Sequence, residues 1–175
     1  LNQVQHPQQV PLPHPAASRT AIGEHRGGDA PCACWIEPDS TYTIAMPETD
    51  EGHSAMITLP FTFSLFGFPF DSLYIMNNGF ISFNHPLYVY AGVSLSLESH
   101  PMIAPFFADV DTRDSTPAQD FLHGEVFYKL TSHALYVNWV SVGYYNEHGD
   151  LRNSFQVIIT DGTDSVVPGG NNISF

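Results

Sequence analysis

A nine-residue stretch of strict alternation constrains the fold of this chain more than any other feature. Its apolar side chains are Ile57, Leu59, Phe61, Phe63 and Leu65, and they alternate with Thr58, Pro60, Thr62 and Ser64. A period of two puts one set of side chains on one face of a β-strand, so residues 57–65 are predicted to form a half-buried strand. Pro60 has no N–H for a neighbouring strand, which predicts an edge strand or a bulge.

The next segment predicts a hairpin. Residues 73–76 and 80–83 are strand-like and flank Asn77-Asn78-Gly79. Because Asn and Gly tolerate a positive φ, this tripeptide is a strong signal for a tight turn.

Four further strands are predicted, at residues 103–108, 125–130, 134–142 and 154–160, with a turn at Asp161-Gly162 after the last of them. Residues 134–142 have apolar side chains on both faces, as expected of a strand in the middle of a sandwich. Helical signal is confined to residues 93–99. The fold class predicted is therefore all-β, a β-sandwich of mostly antiparallel strands.

Composition divides the chain into two predicted parts. Residues 1–31 are rich in Gln, Pro and His, and the prolines oppose both helix and central strand. We expect an extended Pro/Gln-rich N-terminal arm there and a β-sandwich domain over residues 32–175. The chain does not begin with Met and has no signal-peptide pattern, so its opening is that of a mature secreted protein or of a cut fragment.

The charge balance excludes some partners. The chain has 18 acidic and 5 basic residues, giving a net charge of −13. Nucleic-acid binding needs a basic patch to neutralise phosphates, and the scattered bases form none. Anionic membrane surfaces are disfavoured for the same reason. No apolar run reaches about 18 residues, so membrane insertion is not expected either.

Two small motifs bear on processing. Cys32 and Cys34 are disulfide candidates, and they can pair with each other or with cysteines of another chain. Asn172-Ile173-Ser174 is an N-glycosylation sequence, which has meaning in a eukaryotic secretory pathway.

The sharpest acidic cluster comprises Asp109, Asp111 and Asp114. Two interpretations stay open for it. The carboxylates can cap turns and pair with Arg113, or they can supply oxygen ligands to Ca²⁺. No EF-hand spacing is present, and no other cofactor is predicted.

The aromatic residues are assigned mainly to the core, and four tyrosines to a loop-borne contact face for sugar or protein. The core set is Phe61, Phe63, Phe66, Phe68, Phe70, Phe106, Phe107, Trp139 and Phe155; the face is Tyr88, Tyr90, Tyr144 and Tyr145. Nine histidines are scattered without metal-binding spacing, and neither a nucleophile elbow nor a phosphate-binding glycine loop occurs. No catalytic residue is therefore predicted.

Five segments in order resemble the nidogen-like (NIDO) domain: the Asn78-Gly79 turn, residues 104–113 (APFFADVDTR), residues 124–128 (GEVFY), residues 139–145 (WVSVGYY) and residues 153–162 (NSFQVIITDG). The opening CACWIEPDSTYTIAM is similar to bacterial, Bacteroidetes-type members of that family. Members usually continue the final strand beyond the point where this chain stops. The resemblance therefore implies a module that is truncated, processed or completed by another chain.

The resemblance implies an extracellular or cell-surface domain for adhesion or matrix assembly, without an active site. We expect its partners to be proteins or copies of itself, with extracellular glycans as further candidates. In the sharper form of this hypothesis, the arm of one copy adds to an open strand edge of the next and builds a filament. The alternative is a Ca²⁺-dependent adhesion module that binds carbohydrate or protein.

Overall fold

The structure is a computed structural model that describes residues 35–90, 100–113, 124–165, 167 and 172–175. Within these ranges it contains nine strands: β1 Thr43–Ile44, β2 Ile57–Leu65, β3 Phe68–Met76, β4 Phe80–Phe83, β5 Met102–Ile103, β6 Glu125–Leu130, β7 Ala134–Tyr144, β8 His148–Thr160 and β9 Ile173–Ser174. Residues 1–31, Cys32, Cys34, Asp114 and residues 93–99 lie outside the described residues, so the predictions made for them stay predictions.

The strands form two antiparallel sheets. The five-stranded sheet has the order β1-β6-β7-β8-β9, and the four-stranded sheet has the order β2-β3-β4-β5. Every paired register is antiparallel. The predicted all-β sandwich is confirmed.

The main core lies between the two sheets. Phe63, Ile75 and Phe83 of the four-stranded sheet pack in one cluster with Val137 and Trp139 of the five-stranded sheet. A second, smaller cluster lies on the opposite face of β7, where Tyr42 and Val167 cover Tyr136. β7 is thus buried on both faces, as its two apolar faces predict.

Pro60 lies where the sequence places it. β2 is an edge strand, and its pairing with β3 shifts register between Thr58 and Phe63. A residue without an N–H is tolerated there because no ladder hydrogen bond is required of it.

One predicted strand is shorter than expected. Of residues 103–108, only Ile103 belongs to a strand, and the chain then leaves the sheet. The backbone N–H groups of Phe106 and Ala108 donate instead to the carbonyls of Gly79 and Asn78. The hairpin turn therefore takes the hydrogen bonds that a longer strand would have used.

The described residues include no helix that is long and apolar enough to cross a membrane.

Gly79 is the position in the turn that most requires glycine. Its φ is +79°, and a Cβ there would lie 1.9 Å from the carbonyl oxygen of Phe106. We expect Gly79→Ala to lower the free energy of unfolding by more than about 3 kcal/mol, because backbone must move in addition to the conformational strain.

Gly67→Ala is the matched control for that prediction. Gly67 has a φ of +85° but nothing within 4 Å of an added Cβ. Only the left-handed strain remains, and the expected loss is about 1–2 kcal/mol. Urea unfolding of the two variants measures the difference, and equal losses would show that the contact with Phe106 does not matter.

Candidate functional site

Asn77 and Asn78 organise one end of the sandwich. The side-chain amide of Asn77 donates to the carbonyls of Asp50 and Val110, and that of Asn78 donates to Glu51 Oε2 and to the carbonyl of Val89. The side-chain oxygen of Asn78 accepts from the N–H of Val110 at 2.9 Å. Two adjacent, buried amides therefore hold three separate chain segments against the hairpin turn.

The segments gathered in this way bring three carboxylates together. Oxygens of Asp50, Glu51 and Asp109 all lie within 4.8 Å of one another. Asp50 Oδ1 and Asp109 Oδ1 are both buried and have no hydrogen-bond partner among the described residues. Arg113 reaches Asp50 only at Oδ2, at 3.2 Å.

The pKa values of these three carboxyl groups respond to the crowding. Burial raises the pKa of Asp50, Glu51 and Asp109, and repulsion from neighbouring carboxylates raises each of them further. The charged forms of these groups are therefore only partly compensated, by Arg113 at Asp50 and by the Asn78 amide at Glu51. A hard divalent cation would complete the compensation, since carboxylate oxygens are the ligands that Ca²⁺ prefers.

Asp111 has a different role from Asp109. Its carboxylate is fully buried and accepts from the Arg113 Nε at 3.0 Å and from the Arg113 Nη2 at 2.8 Å. The backbone N–H groups of Arg113 and Glu147 add two more bonds, each 3.0 Å. Burial alone would raise the pKa of Asp111, but these hydrogen bonds outweigh it and the net pKa lies below the usual value.

The predicted acidic cluster is thus divided in the structure. Asp109 joins Asp50 and Glu51, Asp111 forms an ion pair with Arg113, and Asp114 lies outside the described residues. Asp50 and Glu51 were missed because no local pattern links them to Asp109. The acid-rich run before Gly52 is their only signal in the sequence.

A second surface lies at the far end of the four-stranded sheet. β4 pairs with β3 only as far as Leu73↔Phe83, and β3 continues back to Phe68. Among the described strands, residues 68–72 therefore have a partner on the β2 side alone. An apolar groove of about 750 Å³ lies here, lined by Phe66, Phe68, Phe70, Pro101, Met102 and Ala104 among others.

Two aromatic residues at this groove are exposed, although the sequence predicts them to lie in the core. Phe66 and Phe68 were assigned to the core, but their exposed fractions are 92% and 69%. The alternation predicts the inward face of β2 correctly up to Leu65, where the hairpin turns. Phe66 and Gly67 then form a two-residue loop with φ values of +51° and +85°, and Phe66 points into solvent.

The four tyrosines that were predicted to form a contact face are each exposed. The exposed fractions of Tyr88, Tyr90, Tyr144 and Tyr145 range from 39% to 66%. The hydroxyl oxygen of Tyr88 lies 3.0 Å from His53 Nε2. The backbone N–H of Tyr145 donates to the backbone carbonyl of Asp109. Tyr145 therefore borders the carboxylate cluster.

One His, Asp and Thr cluster has the residue types of a hydrolase triad. His133 Nδ1 lies 2.8 Å from Asp161 Oδ2 and 2.9 Å from Thr163 Oγ1. Because both oxygens meet the same ring nitrogen, the ring cannot relay a proton between them. Thr163 and His133 instead lower the pKa of Asp161 to about 2, and the cluster stabilises the turn after β8.

Comparison with known proteins decides the family. The family model described as NIDO related matches residues 35–168, which is most of the chain. The chain belongs to the NIDO-related family. The match begins at Trp35 and includes both sheets apart from β9, so the nidogen-like resemblance is confirmed.

The relatives of this NIDO-related domain include alpha-tectorins. It is 34% identical to mouse alpha-tectorin and 33% to human alpha-tectorin over 86 residues, which is 49% of the chain and 4% of either relative. It is 27% identical to chicken alpha-tectorin over 156 residues, covering 73% of the chain and 7% of the relative. These relatives are vertebrate and give no support to the bacterial style expected from the opening segment. No solved structure matches the chain.

The ion pair in the NIDO-related domain predicts a stability effect. Asp111→Ala leaves two backbone N–H groups without their acceptor and is expected to lower the free energy of unfolding by about 2–3 kcal/mol. The exposed Asp71 is the control. Asp71→Ala is expected to change the free energy of unfolding by less than about 0.5 kcal/mol.

Unfolding at low pH tests the same interactions of the Asp111 carboxylate. A carboxyl group with a lowered pKa stabilises the fold above its unfolded pKa, which is about 4, and loses that effect as pH falls through the folded pKa. The difference between wild type and Asp111→Ala in urea unfolding should therefore shrink at low pH. A difference that stays constant would contradict the assigned role.

Proposed function

We propose that this chain is a non-enzymatic structural module of the extracellular space that acts through protein–protein contacts. Copies of it assemble when the N-terminal arm of one copy docks into the groove of the next. Membership of the NIDO-related family supports the general role. The observation that carries the assembly mechanism is the half-paired stretch of β3 at the floor of an aromatic groove.

The half-paired stretch offers the backbone chemistry of strand addition. Residues 68–72 extend beyond the end of β4, and Asn84 turns the chain away with a φ of +74°. An extended peptide can lie where β4 would have continued and use the backbone groups on that side of β3. Pro69 has no N–H, so only a short segment is accommodated.

The strained conformation of Phe66 also favours a contact site. A two-residue hairpin loop with both φ values positive normally takes Asn or Asp before Gly. A bulky residue there costs about 1–2 kcal/mol, and at 92% exposure Phe66 gains little packing against the described residues of its own domain. Strain without internal compensation is typical of surfaces that act on a partner.

The arm is the occupant that best fits the groove. Residues 10–13 read Val-Pro-Leu-Pro, and Pro-rich extended segments dock into aromatic-lined grooves. Residues 1–31 contain two arginines and two acids, so the whole net charge of −13 lies on residues 32–175. Two such domains repel each other, whereas an arm with no net charge can approach either of them.

Phe66→Asn separates assembly from folding. We expect the variant to lose self-association, while its free energy of unfolding stays the same or rises by up to about 1 kcal/mol because Asn suits the turn. Deletion of residues 1–31 should abolish assembly equally. Multi-angle light scattering over a concentration series measures both effects.

The control is Leu151→Thr, which removes an apolar side chain that is 69% exposed on β8 and does not line the groove. It should assemble like the wild type. Assembly that survives both Phe66→Asn and the arm deletion would overturn the proposed mechanism.

A second candidate function rests on the buried, unpartnered oxygens of Asp50 and Asp109. In this alternative the domain is a Ca²⁺-dependent adhesion module, with Asp50, Glu51 and Asp109 as protein ligands and water completing the coordination. Tyr145 beside the cluster would offer a ring on which a sugar or a protein side chain can pack. Asp111 is excluded from the ligand set because its oxygens already accept four hydrogen bonds.

Asp109→Asn tests this alternative in two directions. A raised pKa means that the charged form costs folded-state stability at neutral pH, so without Ca²⁺ the variant should have a higher Tm than the wild type. With Ca²⁺ the wild type should gain in Tm, and the variant should gain much less. Differential scanning calorimetry with Ca²⁺, with Mg²⁺ and with chelator measures the shifts in Tm. A wild-type Tm that does not change when Ca²⁺ is added would contradict the Ca²⁺ site.

A further inference from the structure

The sequence Asn172-Ile173-Ser174 is the one Asn-x-Ser/Thr motif in the chain. It lies at the outer edge of the five-stranded sheet, where β9 pairs with the last residues of β8. Neither the groove nor the carboxylate cluster involves it. The modification that such a motif permits is attachment of an oligosaccharide to the side-chain nitrogen of Asn172.

The register of β9 determines which side chains face outward. Ile159↔Ile173 and Ile158↔Ser174 are paired, and the N–H of Thr160 donates to the carbonyl of Asn172. Ile173 packs against the core between the sheets. Since side chains alternate along a strand, Asn172 and Ser174 share the opposite face, on which Ile158 packs in the second, smaller cluster further into the sheet.

The acceptor side chain is accessible. Asn172 and Ser174 are each partly exposed, at the outer edge of the five-stranded sheet. Ser82, in contrast, is fully buried in β4 with its hydroxyl bonded to the carbonyl of His85. A glycan on Asn172 can therefore extend from the sheet without displacing Ile173 from the core.

We propose that Asn172 carries an N-linked glycan, which covers the outer edge of the five-stranded sheet. The proposal rests on the extracellular part of the proposed function, because the donor is a lipid-diphosphate-linked oligosaccharide of the secretory pathway. The Asn172 nitrogen loses one proton and bonds to the anomeric carbon of the sugar. The bond from that carbon to the diphosphate oxygen breaks, and the lipid diphosphate leaves with the electron pair.

A glycan at this position restricts how copies can meet. A sheet edge attracts other strands, and a bulky hydrophilic group beside β9 hinders pairing there. Phe175, which is 68% exposed and follows β9 directly, lies next to the same glycan. The half-paired stretch of β3 in the groove then stays open to a partner, as do the edges of the described strands β1, β2 and β5.

The test expresses the full chain in eukaryotic cells behind a secretion signal and measures its intact mass before and after peptide N-glycosidase. We expect the enzyme to remove one glycan and to convert Asn172 into aspartate, which peptide mapping locates. Asn172→Gln and Ser174→Ala should lack the glycan. Ser174→Thr and Asn171→Gln preserve the motif and should keep it.

The outcomes distinguish this proposal from the assembly mechanism. A secreted wild-type chain with the mass of the bare polypeptide, or a glycan that survives Asn172→Gln, overturns it. Light scattering of the glycosylated wild type and of Asn172→Gln then measures whether the glycan prevents association through the β9 edge. More aggregation of the bare variant supports the covering role, and equal behaviour contradicts it, whatever Phe66→Asn does.

Discussion

The turn at Asn77-Asn78-Gly79 is the constraint on which the rest of the structure depends. The Trp139 indole N–H, which comes from the opposite sheet, donates to the carbonyls of Met76 and Asn77 at 3.2 and 3.1 Å. The two Asn side chains bind the segments around Asp50, Val89 and Val110. One turn therefore connects the two sheets and gathers the loops at one end. The bonds of Trp139 to Met76 and Asn77 and of Asn77 to Val110 are buried, so the loss of any of these would leave a polar group without water or a partner.

Both candidate surfaces follow from this turn. At its own end it brings Asp50, Glu51 and Asp109 into one cluster, although Glu51 and Asp109 are 58 positions apart in the sequence. The turn also fixes the register between β3 and β4, which determines the structure at the opposite end of the four-stranded sheet. Because Met76 pairs with Phe80, the nine-residue β3 and the four-residue β4 begin together, and β3 extends past β4. That unequal length creates the groove.

Local patterns predict the strands well, and the surfaces less well. The alternation at residues 57–65, the Asn-Gly turn and the two-faced apolar pattern of β7 each gave the correct element, because period and turn chemistry are local properties. The exposure of Phe66 was not predictable in this way, since it depends on where β2 turns. The proximity of Asp109 to Asp50 depends on side-chain hydrogen bonds between segments that are distant in sequence. The strand β5 is short because the N–H groups of Phe106 and Ala108 donate to the carbonyls of Gly79 and Asn78 in the hairpin turn. Family resemblance predicted the general role, and it does not specify which surface is used.

The most direct test of the account is hydrogen–deuterium exchange of the wild-type chain at concentrations below and above self-association. Docking of an extended arm beside β3 predicts slower exchange on assembly at residues 68–72 and around Met102, with little change along β9. Protection that appears elsewhere, for example along β8 and β9, or an assembly that leaves residues 68–72 unchanged, would contradict it.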